Sequence, residues 1–119
     1  MANPNIVNVT TIYGETAVLS ATTANANVVA NPASSSSVYK INSLFASNLN
    51  VASDMDLTVD IIRSGTNYSL ARNVTIPFNA TIVVIAKDST LYLQEGDALS
   101  CAASSNSNVQ VVCSYEVIA

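Results

Sequence analysis

The sequence predicts an all-β protein, a single-domain antiparallel β-sandwich of jelly-roll-like type. Three observations predict it. Short apolar runs separated by turn residues recur from Met55 to Tyr115, with no helical period between them. At 119 residues the chain has the length of one domain, and a chain of that size buries roughly 65% of its unfolded surface around a single core. The Cys…Trp…Cys spacing of an immunoglobulin sandwich is missing, because there is no tryptophan and Cys101 and Cys113 lie too close together.

Residues 1–12 read as an N-terminal arm and first strand, and residues 13–119 as the sandwich. Met1–Asn5 is polar and carries Pro4, a segment that orders when docked on something. Ile6–Ile12 reads as a strand, with Ile6, Asn8, Thr10 and Ile12 on one face and Val7, Val9 and Thr11 on the other. Neither face is cleanly polar, which burial by a partner subunit would explain. Ile6, Val7, Val9, Ile12 and Tyr13 are therefore the candidate interface residues, and docking of Met1–Ile12 on a neighbouring subunit or another partner surface is expected.

Tyr13-Gly14-Glu15 reads as a turn, Thr16–Thr22 as a second strand, and Ala24–Asn31 as a short strand entering a loop. Pro32–Ser37 reads as a flexible, exposed connection. In Val38–Ala46 the apolar residues are of mixed parity, which predicts a bulge or a strand covered on both sides. Ser47–Asp54 is a polar loop. From Leu57 the alternation is cleaner: Leu57, Val59 and Ile61 face inward, Thr58 and Asp60 outward. Ser64-Gly65-Thr66-Asn67 closes a hairpin onto Tyr68–Ile76, and Pro77 marks a strand end or edge.

The near-continuous apolar run Thr81–Ala86 is expected at the centre of the core. Leu91–Gln94 is a short strand between the turns Lys87–Thr90 and Glu95-Gly96-Asp97. Leu99–Ala103 and Val109–Val117 are expected to pair across Ser104–Asn108, with Cys101 and Cys113 on one apolar face. The two cysteines read either as reduced core thiols or as a cross-strand disulfide.

Composition excludes several classes of function. The net charge is −4, and the basic residues Lys40, Arg63, Arg72 and Lys87 are scattered, so no stripe exists to bind nucleic acid or an anionic membrane. No run of about 20 apolar residues suggests a membrane span. Met1–Asn5 lacks the charged start and apolar run of a secretion signal, so synthesis in a cytosol is expected. Only 10% of residues are charged, while Ser, Thr and Asn make up about a third. Such a neutral surface repels its neighbours weakly and suits a protein packed against others.

The chain contains no histidine, no G-x-S-x-G elbow and no glycine-rich phosphate loop, so an enzyme is not expected, nor a cofactor. Asp54, Asp56 and Asp60 form one acidic cluster, but it lacks the glycine and closing glutamate of a calcium loop and reads as a solvated face. No metal is expected. Glu95 and Asp97 read as carboxylates solvating a tight turn. Five tyrosines are spread over several strands, as core or interface residues more than as a sugar platform.

Several segments carry a resemblance. They are Leu-Thr-Val-Asp-Ile-Ile-Arg at 57–63, Val-Thr-Ile-Pro at 74–77 and the run from Thr81 through Lys-Asp-Ser-Thr-Leu-Tyr-Leu-Gln-Glu-Gly-Asp to Leu99. With them go Ser-Tyr-Glu-Val-Ile at 114–118 and the opening Asn-Ile-Val-Asn-Val-Thr-Thr-Ile-Tyr-Gly at 5–14. Together they resemble small virion structural proteins of tailed phages, notably those infecting cyanobacteria. The resemblance implies a β-sandwich assembled on a capsid or tail, foremost a cement or decoration protein acting as an oligomer in the virion, with the major capsid protein or another virion protein as partner. A homotrimer is expected because threefold sites on shells favour it. A tail, neck or fibre component and a carbohydrate-binding module are the alternatives.

Overall fold

The computed structural model describes residues 11–89 and 91–119. Among them are β1 (Ile12–Ser20), β2 (Ala26–Ala30), β3 (Val38–Asn48), β4 (Met55–Arg63), β5 (Thr66–Ile76), β6 (Thr81–Ile85), β7 (Leu91–Leu93), β8 (Ala98–Ala103) and β9 (Val109–Ile118). They build two antiparallel sheets. The front sheet has the order β1-β9-β3-β6, with β7 pairing farther along β3, and the back sheet has the order β2-β8-β4-β5. This is a jelly roll in which β6 and β7 together fill the place of one strand.

The core lies between the sheets. Ile41, Leu44, Val109, Val111 and Cys113 enter it from the front, and Leu57, Val59, Leu99 and Cys101 from the back. The predicted hairpin forms: Ser64 and Gly65 have φ of 53° and 78°, and Arg63 pairs with Thr66. Two left-handed residues in succession match the strand twist that a tight hairpin needs. The mixed parity of β3 resolves as a bulge, since its register on β9 shifts between Ile41 and Ser43. Asn42 is the extra residue, and it lets both Ile41 and Leu44 face the core.

Four expectations fail. Tyr13-Gly14-Glu15 is not a turn: β1 runs through it in unbroken register with β9, from Ile12 opposite Ile118 to Ser20 opposite Gln110. A glycine marks a turn only where no neighbouring strand holds the chain extended. Thr81–Ala86 does not centre the core either, because β6 is an edge strand whose one buried side chain is Ile85.

Third, β8 and β9 do not pair. β8 lies between β2 and β4, and β9 between β1 and β3, so Ser104–Asn108 crosses from one sheet to the other. Alternation cannot distinguish these cases, because residues facing one core share parity whichever sheet they come from. Cys101 and Cys113 are free, buried thiols, one from each sheet. Burial pushes Cys101 up to about 11 and Cys113 up to about 12.

Fourth, the segment Pro32–Ser37 is exposed as expected at Pro32, Ala33, Ser34 and Ser36, but hydrogen bonds tie it to the body of the protein. Asn31, only 2% exposed, donates through Nδ2 to the carbonyls of Ser37 and Leu93, both at 3.0 Å. Its Oδ1 accepts from the Ser35 hydroxyl at 2.6 Å. Asn48 does the same for the loop after β3, donating to the Ser53 and Ile76 carbonyls at 3.0 and 2.9 Å. Each asparagine supplies the donors that otherwise unpaired loop carbonyls require.

Candidate interaction surface

The acidic residues do not assemble a site. Asp54 accepts from the Phe78 amide at 3.1 Å, and Asp56 from the Thr75 hydroxyl at 2.9 Å. Asp60 is not solvated as expected: it is buried on the outer side of the back sheet, opposite Ser100 and Ser69, with Asn67 Nδ2 at 3.4 Å. No group of three or more His, Cys, Asp or Glu suited to a metal ion occurs among the described residues.

Glu95 and Asp97 are likewise buried rather than solvated. Glu95 accepts from the Ser36 amide at 2.6 Å. Asp97 takes a bidentate pair from Arg63, with Nε at 2.9 Å and Nη2 at 2.6 Å, and a further bond from the Gln94 amide at 2.8 Å. The Asp97 bond raises the Arg63 pKa further. The Gly96 amide, at φ 85°, donates to the Asn31 carbonyl, and the Asn31 amide donates to the Asp97 carbonyl, which ties this turn to the loop after β2. The carboxylates are structural clamps. Charge-assisted bidentate geometry is what makes them effective.

The tyrosines are closer than their sequence spacing suggests. β1, β9 and β3 are adjacent, and alternation puts Tyr13, Glu15, Tyr115 and Tyr39 on the core-side face. Tyr39 and Tyr115 stack with centroids 5.5 Å apart at 22°. Burial first, and the Glu15 carboxylate second, raises both phenol pKa values. The stacked rings each turn one face to the other.

The outer face of the front sheet is different. Val18 pairs with Val112, Val112 with Phe45, and Phe45 with Val83, one residue from each of β1, β9, β3 and β6. These side chains are 74%, 38%, 39% and 55% exposed in that order across the sheet. On one side the row is flanked by Ser20, Gln110, Ser47 and Thr81, where the two hydroxyls of Ser47 and Thr81 bond at 2.8 Å. On the other side come Thr16, Ser114 and Ser43. The result is an uncharged band with an apolar line through it, beside a hollow of about 340 Å³ lined by Val18, Ser20, Gln110 and Val112 among others.

Of the candidate interface residues, Ile12 and Tyr13 are exposed members of β1, on its outer and core-side faces respectively. Ile6, Val7 and Val9 lie outside the described residues. Sequence reading missed the apolar row because its members come from four strands whose order is not written in the chain. The only local signal was an apolar residue facing away from the core at each position.

No protein-family model matches the chain, and no curated protein matches it. Solved structures do resemble it. One is a chain of Bacillus endospore appendages, a family of disulfide-linked pili, at TM-score 0.54 and 12% identity over 91% of this chain and 88% of that one. Another belongs to the acid-stable capsid of Helicobacter pylori bacteriophage KHP30, at TM-score 0.54 and 12% identity over 93% of this chain and 90% of that one. At that identity the likeness is one of fold.

Proposed function

We propose that this protein is a non-enzymatic structural component of a phage virion, a cement or decoration protein that binds and stabilises the shell as a homotrimer. Its partner is the major capsid protein or another virion protein, and it is made in the host cytoplasm. The observation that carries the reading is the exposed row Val18–Val112–Phe45–Val83, aligned in register across the front sheet. A continuous apolar line on an uncharged face is suited to covering a neighbouring protein surface. The resemblance of segments 5–14, 57–63 and 81–99 to tailed-phage virion proteins supports the same reading, as does a fold shared with a phage capsid chain. Binding to the folded subunit alone would stabilise it by mass action.

Cosedimentation with undecorated capsids tests the proposal. The wild-type protein is expected to saturate shells in stoichiometry with their lattice, and Phe45→Asp and Val83→Asp to bind at least tenfold more weakly while remaining folded. A wild-type protein that ignores shells but assembles with tail proteins would move the function to the tail, neck or fibre.

A further inference from the structure

The front sheet ends at β1, and that edge is unlike the others. β2 is five residues long and bulged between Asn27 and Val29. β5 is bent by two register shifts against β4, holds Asn73 at φ 50°, and runs into Pro77. The far edge of the front sheet is divided between five-residue β6 and three-residue β7. Shortness, bulges and prolines of this kind blunt an edge against further pairing. β1 has none of them. It is nine residues in unbroken register, with Glu15 its one charge.

The direction of its hydrogen bonds follows from its ends. Thr11 and Ala119 exchange both backbone bonds at 3.0 Å, and the Ala21 amide donates to the Val109 carbonyl at 2.8 Å. Odd-numbered residues therefore bond to β9, and the amides and carbonyls of Ile12, Gly14, Thr16, Val18 and Ser20 point to the open side. Among the described residues no strand pairs with them.

We infer that this edge receives Ile6–Thr10 of a second copy of the chain as an added strand. The inference rests on the oligomeric reading above and names its contact. The segment Ile-Val-Asn-Val-Thr is uncharged and rich in β-branched residues, as an added strand requires. Thr11 is still in the ladder, so the described part of the chain begins at the end of the front sheet, next to the β1 edge. Folding back onto the chain's own β1 would need a tight turn at Val9-Thr10, two β-branched residues that resist the left-handed conformation such turns demand. Ten residues reach at most about 33–36 Å, enough to lie along a neighbour's edge. A register that sets Val7 or Val9 beside Val18 carries the apolar row one strand further. The contact is head-to-tail, so successive copies close into a ring or continue as a filament according to the rotation per step.

Two complementary variants test this by native mass, each first checked for cooperative unfolding. One lacks residues 1–10 and keeps the edge. The other, Thr16→Pro with Val18→Pro, keeps the arm and removes two amides that point away from β9; Thr16→Lys with Val18→Lys serves as a second edge block. The wild type is expected to be oligomeric, each variant alone monomeric, and an equimolar mixture a heterodimer of the summed mass. Self-association of the truncated chain, or a mixture that stays monomeric, overturns the inference. A monomeric wild type that still cosediments with shells overturns it together with the trimer, and leaves only the shell-binding role standing. An arm-dependent oligomer that binds no particle does the reverse.

Discussion

The clamp around Asn31 and the outer face of the front sheet are built from opposite kinds of side chain. At the clamp, Asn31, Ser36, Arg63, Glu95 and Asp97 bond to one another and to loop backbone, and the acids among them are buried. On the face, Val18, Phe45, Val83 and Val112 stand in register and exposed. On the proposed function, stability and association fall to separate regions, so each can be damaged without the other.

Asn31→Ala is expected to have the largest effect on stability. It leaves the Ser37 and Leu93 carbonyls without their donor inside the protein, at about 3 kcal/mol. Thermal unfolding should fall by roughly 10 °C or more, with particle binding by the surviving folded fraction unchanged. Alkaline pH comes next. The folded thiols stay neutral up to about 11 and about 12, whereas a free thiol ionises near its ordinary value of 9.0. The unfolded chain therefore loses protons first. Stability is full below about pH 9 and declines above it by about 1.4 kcal/mol per pH unit for each thiol, readable by urea titration at stepped pH. Native protein at pH 8 should resist alkylation at both cysteines.

Arg63→Ala should cost only about 1 kcal/mol, because the side chain of Arg63 is 45% exposed and its pairing with Asp97 is screened. Added salt should shrink that difference further in the same titration. Val83→Ser should change stability least, by about 0.5 kcal/mol or less, while weakening shell binding measurably. A loss of stability from Val83→Ser as large as that from Asn31→Ala would erase the division between the two regions.

The hairpin at Ser64-Gly65 and the inward set Leu57, Val59 and Leu99 were legible because both signals are local: a turn pair and a period of two. The bulge in β3 was legible as one of two readings of its mixed parity, the other being a strand covered on both sides. The partners of β8 and β9 were not legible, because parity is silent about which sheet a strand joins. Buried Glu95 and Asp97 were misread for a related reason. A carboxylate beside a turn looks solvated until the distant Ser36 amide and Arg63 are brought to it. The apolar row was hidden most completely, since strand order alone aligns its members.

The position of the thiols has a consequence for any assembly this chain builds. Both cysteines of the sequence are sealed inside their own subunit, so no sulfur of this chain is left to weld one copy to the next. Links between copies in the proposed assembly would then be non-covalent. A lattice made of them would persist through the number of weak contacts each copy holds at once, and a vacated position could be refilled from the surrounding pool.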